Sequence, residues 1–227
     1  TGQLMTLVVQ PCNLDTGPGV VLSLATIRAQ DPSARVVVLP ADHHVARPEA
    51  LLTAIERAEA ATQVDPGMVT LLAAQPDGPE TGYGWVVPGR SLSRFGMRAV
   101  QRFFEKPGPK LAAELFRLGA MWNTLIIVGA VEAVWRMSQR YLPEHCERLA
   151  HPALPDELEA AYAALPAASF SSAVLERARN LAYLPIGDAG WSDWGTPDRV
   201  LASLDGTSDY QQLLRRIARP EGAQALA

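Results

Sequence analysis

The chain has 227 residues, 48% of them hydrophobic and 19% charged, and a net charge of −4. These totals suit one α/β domain with a sizeable core and argue against a general nucleic-acid binder, since no basic block occurs. No apolar run is long enough to span a bilayer, and the first residues lack the basic-then-apolar order of a signal peptide. Cys12 and Cys146 form no metal-spaced pair and suggest no disulfide framework, so a reducing, cytoplasmic setting is expected. The chain begins without an initiator methionine, which reads as a segment of something longer. Of its 20 basic residues only Lys106 and Lys110 are lysines. Under such an arginine bias, a retained lysine marks a place where arginine does not fit.

In chain order, Met5–Val9 reads as a short buried strand. Asn13–Pro18 is a polar turn in which Asp15 or Thr16 caps the next helix, with Pro18 in its first turn and Val20, Val21, Leu24 and Ile27 on its inward face. Arg35–Leu39 reads as a central strand buried on both faces, stopped by Pro40. Asp42 then stands just past the carboxyl end of that strand, where open α/β sheets bind ligands. Pro48–Ala61 is a helix with Leu51, Leu52, Ile55 and Ala58 inward, and Met68–Ala74 is an apolar strand. This β-α-β-α-β order predicts a mainly parallel sheet covered by helices.

Further along, Gly82–Val87 and Met97–Phe104 read as a hairpin, Pro109–Leu118 as a helix and Met121–Val128 as a strand. Val131–Leu142 is a helix with Val131, Val134, Trp135, Ser138 and Leu142 on one side. Helices follow over Asp156–Ala164 and Ser171–Arg179, then a strand over Leu181–Ile186 and helices over Pro197–Leu204 and Tyr210–Ile217. The whole reads as a single domain over 1–227, shortened at its N-terminus, with a terminal helix and frayed tail over 205–227.

Five stretches carry chemistry. Pro40-Ala41-Asp42-His43-His44 offers a carboxylate for a divalent cation. Glu80-Thr81-Gly82-Tyr83-Gly84-Trp85 offers a carboxylate and two glycines that let backbone approach a ligand. In Phe104-Glu105-Lys106-Pro107, Glu105 can accept from hydroxyls and Lys106 can meet a phosphate as a point charge. Trp122-Asn123-Thr124 enters a strand, and Trp191-Ser192-Asp193-Trp194-Gly195 supplies a second lone carboxylate. Each alone has an ordinary explanation as a turn, a surface pair or a core aromatic.

Together, in this order and with Asn13…Thr16-Gly17-Pro18-Gly19 before them, they resemble the sugar-phosphate nucleotidyltransferases, most closely the mannose-1-phosphate guanylyltransferases. The resemblance covers roughly residues 5–204. It implies a Rossmann-like, GT-A-like mixed sheet, mainly parallel, with helices on both faces. It implies attack by a sugar 1-phosphate (mannose 1-phosphate) on the α-phosphorus of a nucleoside triphosphate (GTP), releasing pyrophosphate and giving GDP-mannose. By the resemblance, Asp42 and Asp193 bind Mg²⁺ and act in catalysis with Lys106, which holds the sugar's phosphate. Glu80, Gly84, Glu105 and Asn123 line the sugar pocket. Asn13, Thr16 and Gly17 face the nucleotide, at a helix start where free backbone N–H groups are expected. The partners implied are the triphosphate and the sugar 1-phosphate, with a homodimer allowed for and neither nucleic acid nor membrane.

Three departures bear on these expectations. The family's N-terminal strand and Gly-rich triphosphate loop are not in this sequence. Leu125 stands where the family has glycine after Trp-Asn-Ser. Phe170-Ser171-Ser172 stands where the family has Ile-Asp-Tyr, losing a carboxylate. A degenerate nucleotidyltransferase-like domain that binds sugar phosphate or a protein partner as a regulator is the rival reading. Asp42-His43-His44 is also a motif of the two-metal Asp-His-His phosphoesterases, but these need more Asp and His ligands upstream than a chain with four histidines supplies.

Overall fold

A computed structural model describes residues 5–92, 95–150, 155–207, 210–212 and 215. Its framework is a six-stranded sheet. The strands are β1 (Arg35–Val38), β3 (Val69–Ala74), β4 (Gly84–Ser91), β5 (Arg98–Phe104), β6 (Met121–Ala130) and β7 (Leu181–Pro185), in the order β1-β6-β3-β7-β5-β4. β4 also pairs with the first residues of β6, so the pairings run in a closed circuit through β6, β3, β7, β5 and β4. Two further strands of two residues each, β2 (His44–Val45) and β8 (Trp191–Ser192), pair antiparallel as a separate ribbon.

The sheet is of the expected mixed class, but its parallel share is smaller than expected. β3 and β7 are parallel, while β1–β6, β3–β6, β4–β5, β4–β6 and β5–β7 are all antiparallel. The central, fully buried strand is β3, not the Arg35–Leu39 run. β1 pairs only with β6 among the described residues; Val36 is buried, whereas Val37 and Leu39 are 38% and 53% exposed. A run of apolar residues reports burial of a strand's faces and says nothing about how many neighbours hydrogen-bond to its edges. Met5–Val9 is likewise not a strand. It has no ladder partner among the described residues, and Met5, Leu7 and Val9 are 91%, 80% and 65% exposed.

Helices cover both faces. On one side α1 (Thr16–Gln30), α4 (Val131–Tyr141) and α5 (Pro143–Leu149) share a core with β3 and β6, built on Val21, Leu22, Leu24, Val134, Trp135 and Leu149. On the other, α2 (Pro48–Val64) and α3 (Pro109–Arg117) pack through Ala54, Ala58, Ala61, Ala112 and Leu115. The face of α4 is as expected: Val131, Val134, Trp135, Ser138 and Leu142 are all buried. The faces of α1 and α2 are rotated from expectation. Ile27 and Leu52 are exposed; in α1 Leu22 and Ala25 are buried instead, and in α2 small residues take the close approach. Alanine allows a helix axis to sit nearer the sheet than leucine does, so the packed stripe follows Ala54, Ala58 and Ala61 rather than the bulkier residues.

After α6 (Pro155–Ala163) the expected Ser171–Arg179 helix is only a single π-type turn, Ser171–Leu175. α7 (Pro197–Leu204) stands as expected, N-capped by Thr196, whose hydroxyl accepts from the Arg199 N–H at 3.4 Å. The tail over 216–227 lies outside the described residues. No helix among the described residues is long and apolar enough to cross a membrane.

Candidate active site

β6 builds the site by breaking its own ladder. Its register against β3 shifts between Ile126 and Asn123, and Leu125 in the gap has φ 57°. The Thr124 hydroxyl donates to the Leu72 carbonyl at 2.7 Å and accepts from the Ile126 N–H at 3.1 Å, and the Asn123 side chain accepts from the Leu125 N–H at 3.3 Å. Side chains thus replace the ladder bonds that the bulge removes. The result is a cleft of about 410 Å³ whose walls include Gly84 of β4, Glu105 and Lys106 at the end of β5, and Asn123–Leu125 of β6. It also takes in Thr16, His43, Ser171 and Asp193.

Three of the four expected sugar-pocket residues, Gly84, Glu105 and Asn123, meet here. Gly84 pairs with Asn123 in the sheet, and a Cβ on Gly84 would sit 2.7 Å from Glu105 Oε2, so glycine is what leaves room for that carboxylate. Glu105 Oε2 is buried without a hydrogen-bond partner. Burial pushes the Glu105 carboxyl above its ordinary range, against the opposing pull of Lys106. A buried acceptor left unmade is costly, and a ligand hydroxyl would relieve it. Glu80 stands behind the cleft rather than in it. Its carboxylate accepts from the Gly82 N–H at 2.9 Å and pairs with Arg199 at 2.9 Å, while its carbonyl accepts from the Trp85 indole at 2.8 Å.

Lys106 is exposed, lines the cleft, has φ 44°, and makes no hydrogen bond or ion pair among the described residues. Of the five non-glycine residues with positive φ among those described, Asp15, Lys106 and Leu125 line this cleft and Trp194 adjoins Asp193. Backbone strain of this kind costs of order 1–3 kcal/mol per residue and gathers at ligand sites.

At the opening of α1, Asp15 caps the helix by accepting from the Thr16 N–H, and Asn13 accepts from the Asp15 N–H at 2.9 Å. The expectation of free N–H groups there fails at its first two positions. Thr16 N–H is held by Asp15, and Gly17 N–H donates to the Ala168 carbonyl at 2.7 Å. Gly17 is buried, and a Cβ on it would lie 2.5 Å from that carbonyl oxygen, so its smallness serves close packing. Thr16 does reach the cleft, and Asn13 borders a shallow recess with Gln10, Asp15 and Thr16.

The β2–β8 ribbon carries the two aspartates to the same end of the sheet. His43 stands 4.0 Å from Asp42 and feels the field of both aspartates. Its Nδ1 accepts from the Trp191 indole N–H at 3.1 Å, and burial pushes its pKa below the usual value, so the ring is neutral at pH 7. Asp42 is 85% exposed and borders an adjoining groove of about 580 Å³ that shares Thr16, His43 and Leu125 with the cleft.

These carboxylates do not fit a Mg²⁺ cage as arranged. Asp193 Oδ1 accepts from the Tyr83 hydroxyl at 3.1 Å and from the Gly195 N–H at 3.0 Å, and both its oxygens lie 2.9 Å from Arg199 Nη1. Among the described residues, no group of three or more His, Cys, Asp or Glu is placed to hold a metal. His43, Tyr83, Ser171 and Arg199 are site residues that motif reading missed. His43 and Tyr83 lay inside recognised motifs, while Arg199 had no local signal at all.

The fold and the cleft define a nucleotidyltransferase-type domain, with a polar cleft at the strand ends of a mixed sheet. The chain belongs to the sugar-phosphate nucleotidyltransferase family: the nucleotidyl transferase family pattern matches residues 3–208. It is 31% identical over 206 residues to mannose-1-phosphate guanylyltransferase ManC of Salmonella typhimurium, covering 84% of this chain and 42% of that protein. It is 29% identical over 204 residues to a mannose-1-phosphate guanylyltransferase of Escherichia coli, with the same two coverages of 84% and 42%. A solved structure from Thermus thermophilus, described as a mannose-1-phosphate geranyltransferase, is 30% identical with a TM-score of 0.78, covering 87% of this chain and 57% of that one. A UDP-glucose pyrophosphorylase from Acinetobacter baumannii, 17% identical with a TM-score of 0.53, shares the fold over 92% of this chain and 63% of its own. The chain spans about two fifths of the length of these curated relatives.

Proposed function

We propose that the cleft binds a sugar 1-phosphate, with mannose 1-phosphate the first candidate. In this reading the protein joins it to the nucleoside monophosphate of a triphosphate, GTP by the same likeness, with release of pyrophosphate. The observation that supports this most is the unpartnered Glu105 oxygen beside Gly84, Asn123 and Lys106. Glu105 and Asn123 accept from and donate to sugar hydroxyls, Gly84 leaves the space, and the Lys106 ammonium meets the phosphate. Thr16 and Asn13 face the nucleotide end.

Phosphoryl chemistry of this kind depends on positioning and charge neutralisation, and Lys106 is the free cation of the cleft walls among the described residues. Neutral His43 lines both cavities, and Asp42 borders the adjoining groove beside it. Asp193 is already engaged by Arg199, so this reading places no Mg²⁺ on it.

A second reading, a regulator that binds sugar phosphate or a protein partner without turnover, draws on that same closed Asp193. Titration calorimetry with mannose 1-phosphate, followed by pyrophosphate release with GTP, separates the two. Binding with turnover supports the transferase, and binding without turnover supports the regulator. Absence of binding by mannose 1-phosphate and by other sugar 1-phosphates overturns both as sugar-phosphate proteins.

A further inference from the structure

Asp193 and Glu80 come from distant parts of the chain and meet on one guanidinium. Arg199 Nη1 lies 2.9 Å from both Asp193 oxygens, and its Nη2 lies 2.9 Å from Glu80 Oε2. Its carbon sits 4.3 Å from the centre of the Tyr83 ring, whose hydroxyl donates to Asp193. The Arg199 and Asp193 side chains are each 21% exposed, so the group is largely withdrawn from water. Arg199 also lies in the first turn of α7, where the helix dipole disfavours a cation. The two carboxylates offset that placement, which ties the guanidinium to them.

We infer that Arg199 is a built-in counter-ion that closes Asp193 to divalent cations, making ligand binding in the cleft independent of such a cation. A guanidinium nitrogen within hydrogen-bond reach of both carboxylate oxygens occupies the positions a metal would need. A divalent cation forms bonds of roughly 2.0–2.6 Å to oxygen and would have to expel Arg199 from Asp193 and Glu80 together. Asp193 is then a positioning residue. It fixes Arg199 over Tyr83, and so holds the Tyr83–Gly84 wall against Asn123.

The test follows Mn²⁺ by electron paramagnetic resonance with the full chain, alongside thermal melts that confirm each variant folds. The parent and Asp193→Asn are expected to bind Mn²⁺ alike. Arg199→Met is expected to bind it at least tenfold more tightly, and Asp193→Asn added to Arg199→Met is expected to remove the gain. A parent site abolished by Asp193→Asn overturns the inference, as does an Arg199→Met variant that gains nothing. The metal-independence clause rests on the sugar-phosphate reading and is tested by mannose 1-phosphate calorimetry with and without EDTA. Equal affinities support it, and binding lost in EDTA overturns it. If the sugar phosphate binds in neither buffer, that reading falls, while the Mn²⁺ titrations still decide on Arg199.

Discussion

Glu105 trades stability for a site. Its carboxyl is pushed up by burial, so the folded chain carries an ionisation penalty that the unfolded chain does not. The sign follows from linkage: the penalty grows as pH rises from the ordinary glutamate value of 4.5 through the raised folded value, and is absent below 4.5. Glu105→Gln is therefore expected to melt at a higher temperature than the parent at pH 7. The two should converge as pH falls below 4.5, while the variant binds mannose 1-phosphate more weakly at all pH. A variant less stable than the parent at pH 7 would show that the carboxylate is held by favourable contacts.

Lys106 makes the complementary case. Among the described residues none pairs with the ammonium within 4 Å, so replacement by Arg removes no observed contact. Lys106→Arg should leave the melt unchanged and weaken sugar-phosphate binding at least tenfold, about 1.4 kcal/mol. Calorimetry decides this, and equal affinities would make Lys106 a surface residue.

At the scale of elements, the β6 bulge sets the shape of the cleft. Thr124→Val keeps the volume but strips the hydroxyl from the Leu72 carbonyl and the Ile126 N–H. Leaving buried backbone groups unmade costs about 1–3 kcal/mol. A lowered urea midpoint with an unchanged slope is expected, with Thr124→Ser retaining part of the stability. Leu125 stands at a left-handed position and lines both cavities, between the groove and the cleft. Leucine there costs about 1–2 kcal/mol against glycine, an amount comparable to the packing its side chain provides. Leu125→Gly is therefore expected to change stability by less than about 1 kcal/mol. It should tighten mannose 1-phosphate by at least threefold, about 0.7 kcal/mol. An unchanged affinity in calorimetry would make Leu125 a packing residue alone.

For the whole molecule, burial sorts the two thiols. Cys12 is exposed; Cys146 is buried between helices and its thiol is pushed up to about 12. The thiolate is the reactive form. The native chain should thus consume one equivalent of a thiol reagent quickly, and the second only after denaturation. Loss of the fast equivalent in Cys12→Ser checks the assignment.

What the sequence determined by itself was the chemistry of short stretches. Gly84, Glu105, Lys106, Asn123 and Asp193 were legible because turns, strand ends and their side chains are coded locally, and all five border one cleft. The apolar runs Val69–Ala74 and Met121–Val128 were legible as strands for the same reason. The tertiary structure alone decided which strand is central, because an apolar run such as Val36–Leu39 cannot say how many edges find partners. It alone brought Arg199 onto Asp193 and Glu80, a meeting of three charges separated by up to 119 positions that no local pattern encodes. It also spent the Gly17 N–H on Ala168, because hydrogen bonds across the fold compete for groups that appear free along the chain.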